Sequence, residues 1–135
     1  MKLFLVMLFA GFTVFGFAAT PQSEDEFVAA MKKVLPTQGS LRKGVEAKDA
    51  VAVKKDAEAL AAIFKTSEAF WKARKAQDAV DFSAQAVAGA NEIAKLAAAG
   101  EWDKVPDAQK KVGATCMGCH NTHREKLPEG GYKIK

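Results

Sequence analysis

The residues best suited to chemistry stand together as Cys116-Met117-Gly118-Cys119-His120. This C-x-x-C-H order is the pattern of c-type haem attachment. The spacing has a physical reason. Two thiols three positions apart on a helical turn reach the two vinyl groups on one edge of a porphyrin, and the adjacent imidazole projects toward the iron. Thioether bonds then retain the haem without relying on apolar packing alone. Three rival chemistries use a similar pair. A thioredoxin-type dithiol belongs near a βαβ pattern, and the chain has none. A structural zinc site takes four ligands, and only His123 stands nearby as another strong one. A disulfide would close only a tiny loop.

An iron held by His120 has a second face. Only fifteen residues follow His120 and none is Met, so a side-chain ligand for that face comes from upstream. Between the apolar N-terminus and the motif there is no His and a single Met, Met31. Met117 lies between the two cysteines and cannot reach around. Met31 is therefore the candidate sixth ligand, with a gap-filling core Met as the alternative. A Lys would first have to lose its proton, which costs energy near neutral pH. His123 follows His120 by three positions, on the proximal side, and reads as a surface or supporting residue. Arg124, one helical turn past His120, is a candidate for the proximal edge or a haem propionate; a solvated Arg near a helix end is the alternative.

The elements that must position these groups read as four helices. Ser23 and Glu26 form a capping box before Phe27, Ala30, Met31, Val34 and Leu35, which recur at helical spacing. This first helix spans about 24–47, and Pro36 should bend it or split it in two. Asp49 caps a second, with Val53, Ala57, Leu60, Phe64 and Trp71 inward and an end near 74–77. Asp78 caps a third, with Val80, Ala84, Val87, Ala88, Ala90, Ile93 and Leu96 inward, and Gly100 terminates it. Asp103 caps the fourth, with Pro106 in its first turn. Val105, Ala108, Val112, Cys116, Cys119, His120 and His123 share one broad face of it, and Pro128, Gly130 and Gly131 end it. Short connections between amphipathic helices point to an all-α, antiparallel four-helix bundle.

The N-terminus reads as an export signal. Met1-Lys2 precedes an apolar run from Leu3 to Phe17, and Gly16 and Ala18 supply the small residues of a cleavage site after Ala18. The run is nearly long enough to span a bilayer, so an uncleaved anchor is the alternative. The expected organisation is a leader, 1–18, and one domain, 19–135, outside the cytoplasm and most simply in a periplasm. Loss of Lys2 with the leader lowers the formal charge from +4 to +3. No basic stripe with interleaved aromatics is present, which argues against nucleic-acid binding. One Tyr, three Ile and an abundance of Ala, Lys and Glu favour helix over strand.

On these residues the chain resembles the cytochrome c prime family, the class II c-type cytochromes. The likeness rests on C-M-G-C-H near the C-terminus and Arg124 four residues after His120. It rests further on Trp71 followed by Phe82 ahead of a helix with a Gly turn, and on Met31 eight residues before Gly39. It covers most of the chain beyond the leader. The resemblance implies a four-helix bundle with haem on the C-terminal helix. Members with an apolar residue at the Met31 position are five-coordinate and bind gases. Members with Met there are six-coordinate, low-spin electron carriers. Many form homodimers through their first two helices.

The expected function is a periplasmic cytochrome with one haem c, bound through Cys116 and Cys119 and ligated by His120 and Met31, passing single electrons between redox partner proteins. The alternative is a gas-binding protein with an open distal site. A haem-free helical interaction domain is the third reading. No nucleophile–base or carboxylate pair suggests an enzyme, and no membrane association is expected once the leader is removed.

Overall fold

The computed structural model describes residues 23–135. The expected leader and its cleavage after Ala18 lie outside the described residues. Five helical segments and one short hairpin follow in order: α1 (Glu24–Lys32), α2 (Val34–Glu46), α3 (Ala50–Ala73), α4 (Gln77–Ala98), α5 (Val105–His123), β1 (Arg124–Lys126) and β2 (Tyr132–Ile134). The described chain is all-α apart from that antiparallel hairpin, in which Arg124 pairs with Ile134 and Lys126 with Tyr132. Among these residues no helix is long and apolar enough to cross a membrane.

The first long helix is split, as Pro36 foretells. Pro36 has no N–H to offer the carbonyl of Lys32, and its ring crowds that carbonyl. The break falls at Lys33, which ends α1 and opens α2. Pro36 thereby sits in the first turn of α2, where a missing N–H costs little. The capping box on α1 is present: the Ser23 hydroxyl accepts from the Glu26 N–H, and the Glu26 carboxylate accepts from the Ser23 N–H. The break also changes the phase of the apolar stripe. Leu35, expected inward one turn after Met31, is 74% exposed.

Three helix ends share one device. After α2, α3 and α4 the residues Lys48, Lys75 and Gly100 adopt left-handed backbone, with φ of 52°, 58° and 74°. In each case the next N–H reaches back to the carbonyl five residues earlier: Asp49 to Gly44, Ala76 to Trp71, Glu101 to Leu96. This is the Schellman arrangement. Two expected caps move. The N-cap of α4 is Ala76, not Asp78, and that of α5 is Lys104, not Asp103. The Schellman turn at Lys75 delivers the chain straight into α4, so its first turn forms before Asp78 is reached.

Helix α3 packs on α4, α4 on α5, α2 on α3 and α1 on α3. Two cores result. The larger draws Leu41, Val53, Leu60, Phe64, Ile93 and Val112 from α2 to α5. The smaller consists of Phe27, Phe70, Trp71 and Ala79, with Met31, Cys119 and Ile134 packed on it. The buried side of α4 is not the expected one at its start: Ala79, Ser83 and Ala86 are buried while Ala84 and Ala88 face solvent. The helix carries Ala on every side, so the apolar period is weak there. The polar signal of Ser83 misleads because its hydroxyl is satisfied internally.

Candidate functional site

The C-x-x-C-H motif occupies the last two turns of α5, and a cavity of about 680 Å³ opens beside it. Volumes of roughly 300–1,000 Å³ are usual for small-molecule and cofactor sites. Cys116, Cys119, His120, Met31 and Arg124, the five residues singled out by the sequence, all line this one cavity. They reach it from α1, α5 and the hairpin.

The wall is predominantly apolar, with Phe27, Phe64, Trp71 and Phe82 among its members. Leu35 and Tyr132 line it while remaining largely exposed. Among the described residues its cationic members are Lys32, Arg124 and Lys133, the last paired with Glu125 at 3.2 Å, and no Asp or Glu lines it. An occupant that is mainly apolar and carries negative charge suits such a wall.

Helix α5 is seated closely against α4. A Cβ on Gly118, between the two cysteines, would lie 2.6 Å from the Phe82 ring, and one on Gly89 would lie 2.5 Å from Val112 Cγ2. Both glycines therefore mark places where the helices are nearly in contact. On the other wall the Ser67 hydroxyl donates to Ser83 Oγ at 2.9 Å, and Ser83 donates to the Ala79 carbonyl at 2.8 Å. Nothing in the sequence motifs singles out these two serines; their signal is a polar residue in the buried phase of each of two neighbouring helices.

Helix α1 is pinned at its N-terminal end. Phe27 stacks on Phe70 with ring centroids 4.1 Å apart. Arg74 lies over the other side of this pair, 3.8 Å from the Phe70 centroid, and meets Glu24 at 3.3 Å. Such aromatic pairs contribute about 0.5–1.5 kcal/mol beyond their burial. Met31 follows one turn later, half-buried on the cavity wall.

Arg124 does not continue α5. The helix ends at His123, and Arg124 takes extended backbone, φ −127° and ψ 133°, as the first residue of β1. Pairing with Ile134 and the Lys135 N–H bond to the His123 carbonyl replace the helical ladder. Arg124 still lines the cavity, with its guanidinium 3.7 Å from the Tyr132 ring centroid. His123 donates through Nε2 to Asp78 Oδ2 at 2.8 Å and packs on Trp71 at 4.6 Å.

Electrostatics distinguish the rival chemistries. Burial raises the Cys116 thiol above its ordinary range, and burial followed by the charge of Asp78 lifts Cys119 to about 11. A dithiol catalyst needs a depressed value, so this pair lacks the activation of a thioredoxin-type site. Burial, then the nearby Arg124 charge, lowers His120 and keeps its imidazole neutral with a lone pair available. Among the described residues no three His, Cys, Asp or Glu side chains converge as a metal cluster would require. The cysteines are free thiols rather than a disulfide.

No family model, curated protein or solved structure matches the chain.

One further atom stands out. Trp71 Nε1 is the buried side-chain donor that has no hydrogen-bond partner among the described residues. Leaving such a group unpaired costs about 1–3 kcal/mol.

Proposed function

We propose that this chain is an exported c-type cytochrome, an antiparallel four-helix bundle that holds one haem in the cavity beside α5 and passes single electrons between redox partners. The observation that carries the reading is the meeting of Cys116, Cys119, His120, Met31 and Arg124 on one apolar, cation-lined cavity. The short connections between helices and the packing of α3 on α4 and α4 on α5 support the bundle. The resemblance to the cytochrome c prime family supports the same reading, and the apolar leader read in the sequence supports a periplasmic location.

Each residue has a role that its surroundings suit. Cys116 and Cys119 supply the sulfurs for two thioether links. His120, held neutral by burial, offers a nitrogen lone pair on the α5 side. Met31 offers a thioether from α1, and such a ligand favours a raised reduction potential. Phe27, Phe64 and Trp71 exclude water and disfavour added charge. Lys32 and Arg124 balance carboxylates at the cavity wall, where Lys133 is already paired with Glu125. Haem supplies a reversible one-electron iron couple when bound.

The test is expression with a c-type maturation system, followed by mass spectrometry and absorption spectroscopy. One haem-sized addition and a low-spin spectrum are expected; a mature chain without that addition would sink the reading. A gas-binding protein is the second reading, favoured by the placement of Met31 on the short α1 beside exposed Leu35. Rapid, complete carbon monoxide binding by the reduced protein would select it over electron transfer.

A further inference from the structure

Trp71 lines the cavity, is 2% exposed, and carries the unpaired indole N–H. Among the described residues none of the groups around it accepts that proton. Phe27 and Phe70, which meet it edge-on at 5.6 and 4.9 Å, offer none. His123 donates through Nε2 to Asp78 and lays its ring against Trp71 at 4.6 Å without accepting from the indole. The Ser67 and Ser83 hydroxyls bond to each other and to the Ala79 carbonyl. The described residues leave the indole N–H unpaired, and an acceptor carried by the occupant of the cavity would complete it.

The same end of the cavity gathers positive charge. Met31 and Ile134 both pack on the cluster that contains Trp71, and Lys32, next to Met31 in the chain, lines the same wall. Arg124 pairs with Ile134 across the hairpin and lines the same wall. One buried donor with Lys32 and Arg124 makes an arrangement for a carboxylate, while Lys133 is already paired with Glu125 at 3.2 Å.

We propose that this end of the cavity is a carboxylate-binding site in which the Trp71 N–H is the orienting donor, and that its ligand is a propionate of the haem. This rests on the cytochrome reading above. The chemistry narrows the choice within it. Porphyrin nitrogens are committed to iron and the vinyl groups to sulfur, so the propionates are the acceptors that remain. Hydrogen bonding from a buried indole fixes which way one propionate points, while the cations act over a longer range and tolerate movement.

The experiment uses the haem-loaded protein. In a Trp102→Phe background Trp71 is the sole Trp, and ultraviolet resonance Raman reads whether its N–H is bonded. A bonded band that relaxes when the propionates are protonated is expected. In parallel, haem labelled with carbon-13 at its propionates, by feeding 5-aminolevulinate labelled at the carboxyl carbon, is compared by infrared in the wild type and Trp71→Phe. One carboxylate band should shift. A free indole band, a band indifferent to propionate protonation, or identical carboxylate bands in a protein that carries haem would overturn the assignment and leave the cytochrome reading standing. Absence of haem would overturn both.

Discussion

His123 Nε2 lies 2.8 Å from Asp78 Oδ2, so the last turn of α5 is tied to the first turn of α4 across 45 residues of chain. The bond from His123 is the main reason that the Asp78 carboxyl sits below its ordinary range. A depressed carboxylate contributes stability above its unfolded value, near 3.9, and loses it as pH falls through the lower folded value. Asp78→Asn is expected to lower the melting temperature of the chain at neutral pH, with the gap to wild type closing below about pH 4. Thermal melts across that range check this, and a gap that does not narrow in acid would contradict it.

Met31 is the next residue to test. Met31→Ala removes the thioether from the cavity wall while leaving the Phe27–Phe70 stack of α1 in place. Under the proposed function the haem protein should lose its low-spin absorption signature and bind carbon monoxide faster in the reduced form. The haem itself should stay attached, because Cys116 and Cys119 are untouched. A spectrum identical to wild type would remove Met31 from the ligand set.

Two lysines hold backbone that suits glycine better. Lys48 and Lys75 have φ of 52° and 58° in the turns that end α2 and α3. Left-handed backbone costs an L-residue roughly 1–2 kcal/mol, of which part is returned by the extra freedom a Gly gives the unfolded chain. Lys48→Gly and Lys75→Gly are each expected to stabilise the chain by about 0.5–1 kcal/mol in denaturant unfolding. Destabilisation by either would show that the lysine side chain makes up more than the strain.

Gly89 tests the closeness of α4 and α5. Ala is the better helix former, yet its methyl would meet Val112 Cγ2 at 2.5 Å, and Val has little rotamer freedom to retreat. Gly89→Ala should cost about 1–3 kcal/mol by overpacking. Adding Val112→Ala should recover part of the loss, so that the double-mutant cycle shows coupling. Simple additivity would mean that the helices separate without penalty.

The same lysines show where the amino-acid sequence is legible and where it is not. The end of α4 is visible in it because Gly100 marks the turn, whereas the ends of α2 and α3 use an identical turn with Lys, which carries no such mark. Pro36 announces a break in the first helix because its chemistry is local. The outward turn of Leu35 is hidden, since it depends on how much phase the break loses. That Cys116, Cys119, His120 and Met31 belong on one cavity wall is legible because C-x-x-C-H is a local pattern and Met31 follows by elimination, and Arg124 joins them by standing one turn past His120. The roles of Ser67, Ser83 and Asp78 are not, because each depends on a partner 16 or 45 residues away. Arg124 reads as helical because Pro128, Gly130 and Gly131 read as the end of its helix, whereas they lie in the turn of the hairpin that draws it off.

The split at Lys33 gives the two sides of the cavity different mechanical character. His120 stands on a helix of 19 residues, while Met31 stands on one of 9 joined to the rest through a single non-helical residue. Opening of a segment is governed by the contacts that segment alone must give up. For α1 these centre on Phe27 and the Glu24–Arg74 pair. Under the cytochrome reading the iron is therefore gripped by one firm hand and one hinged hand, and any competing ligand would displace the sulfur long before it disturbed the imidazole.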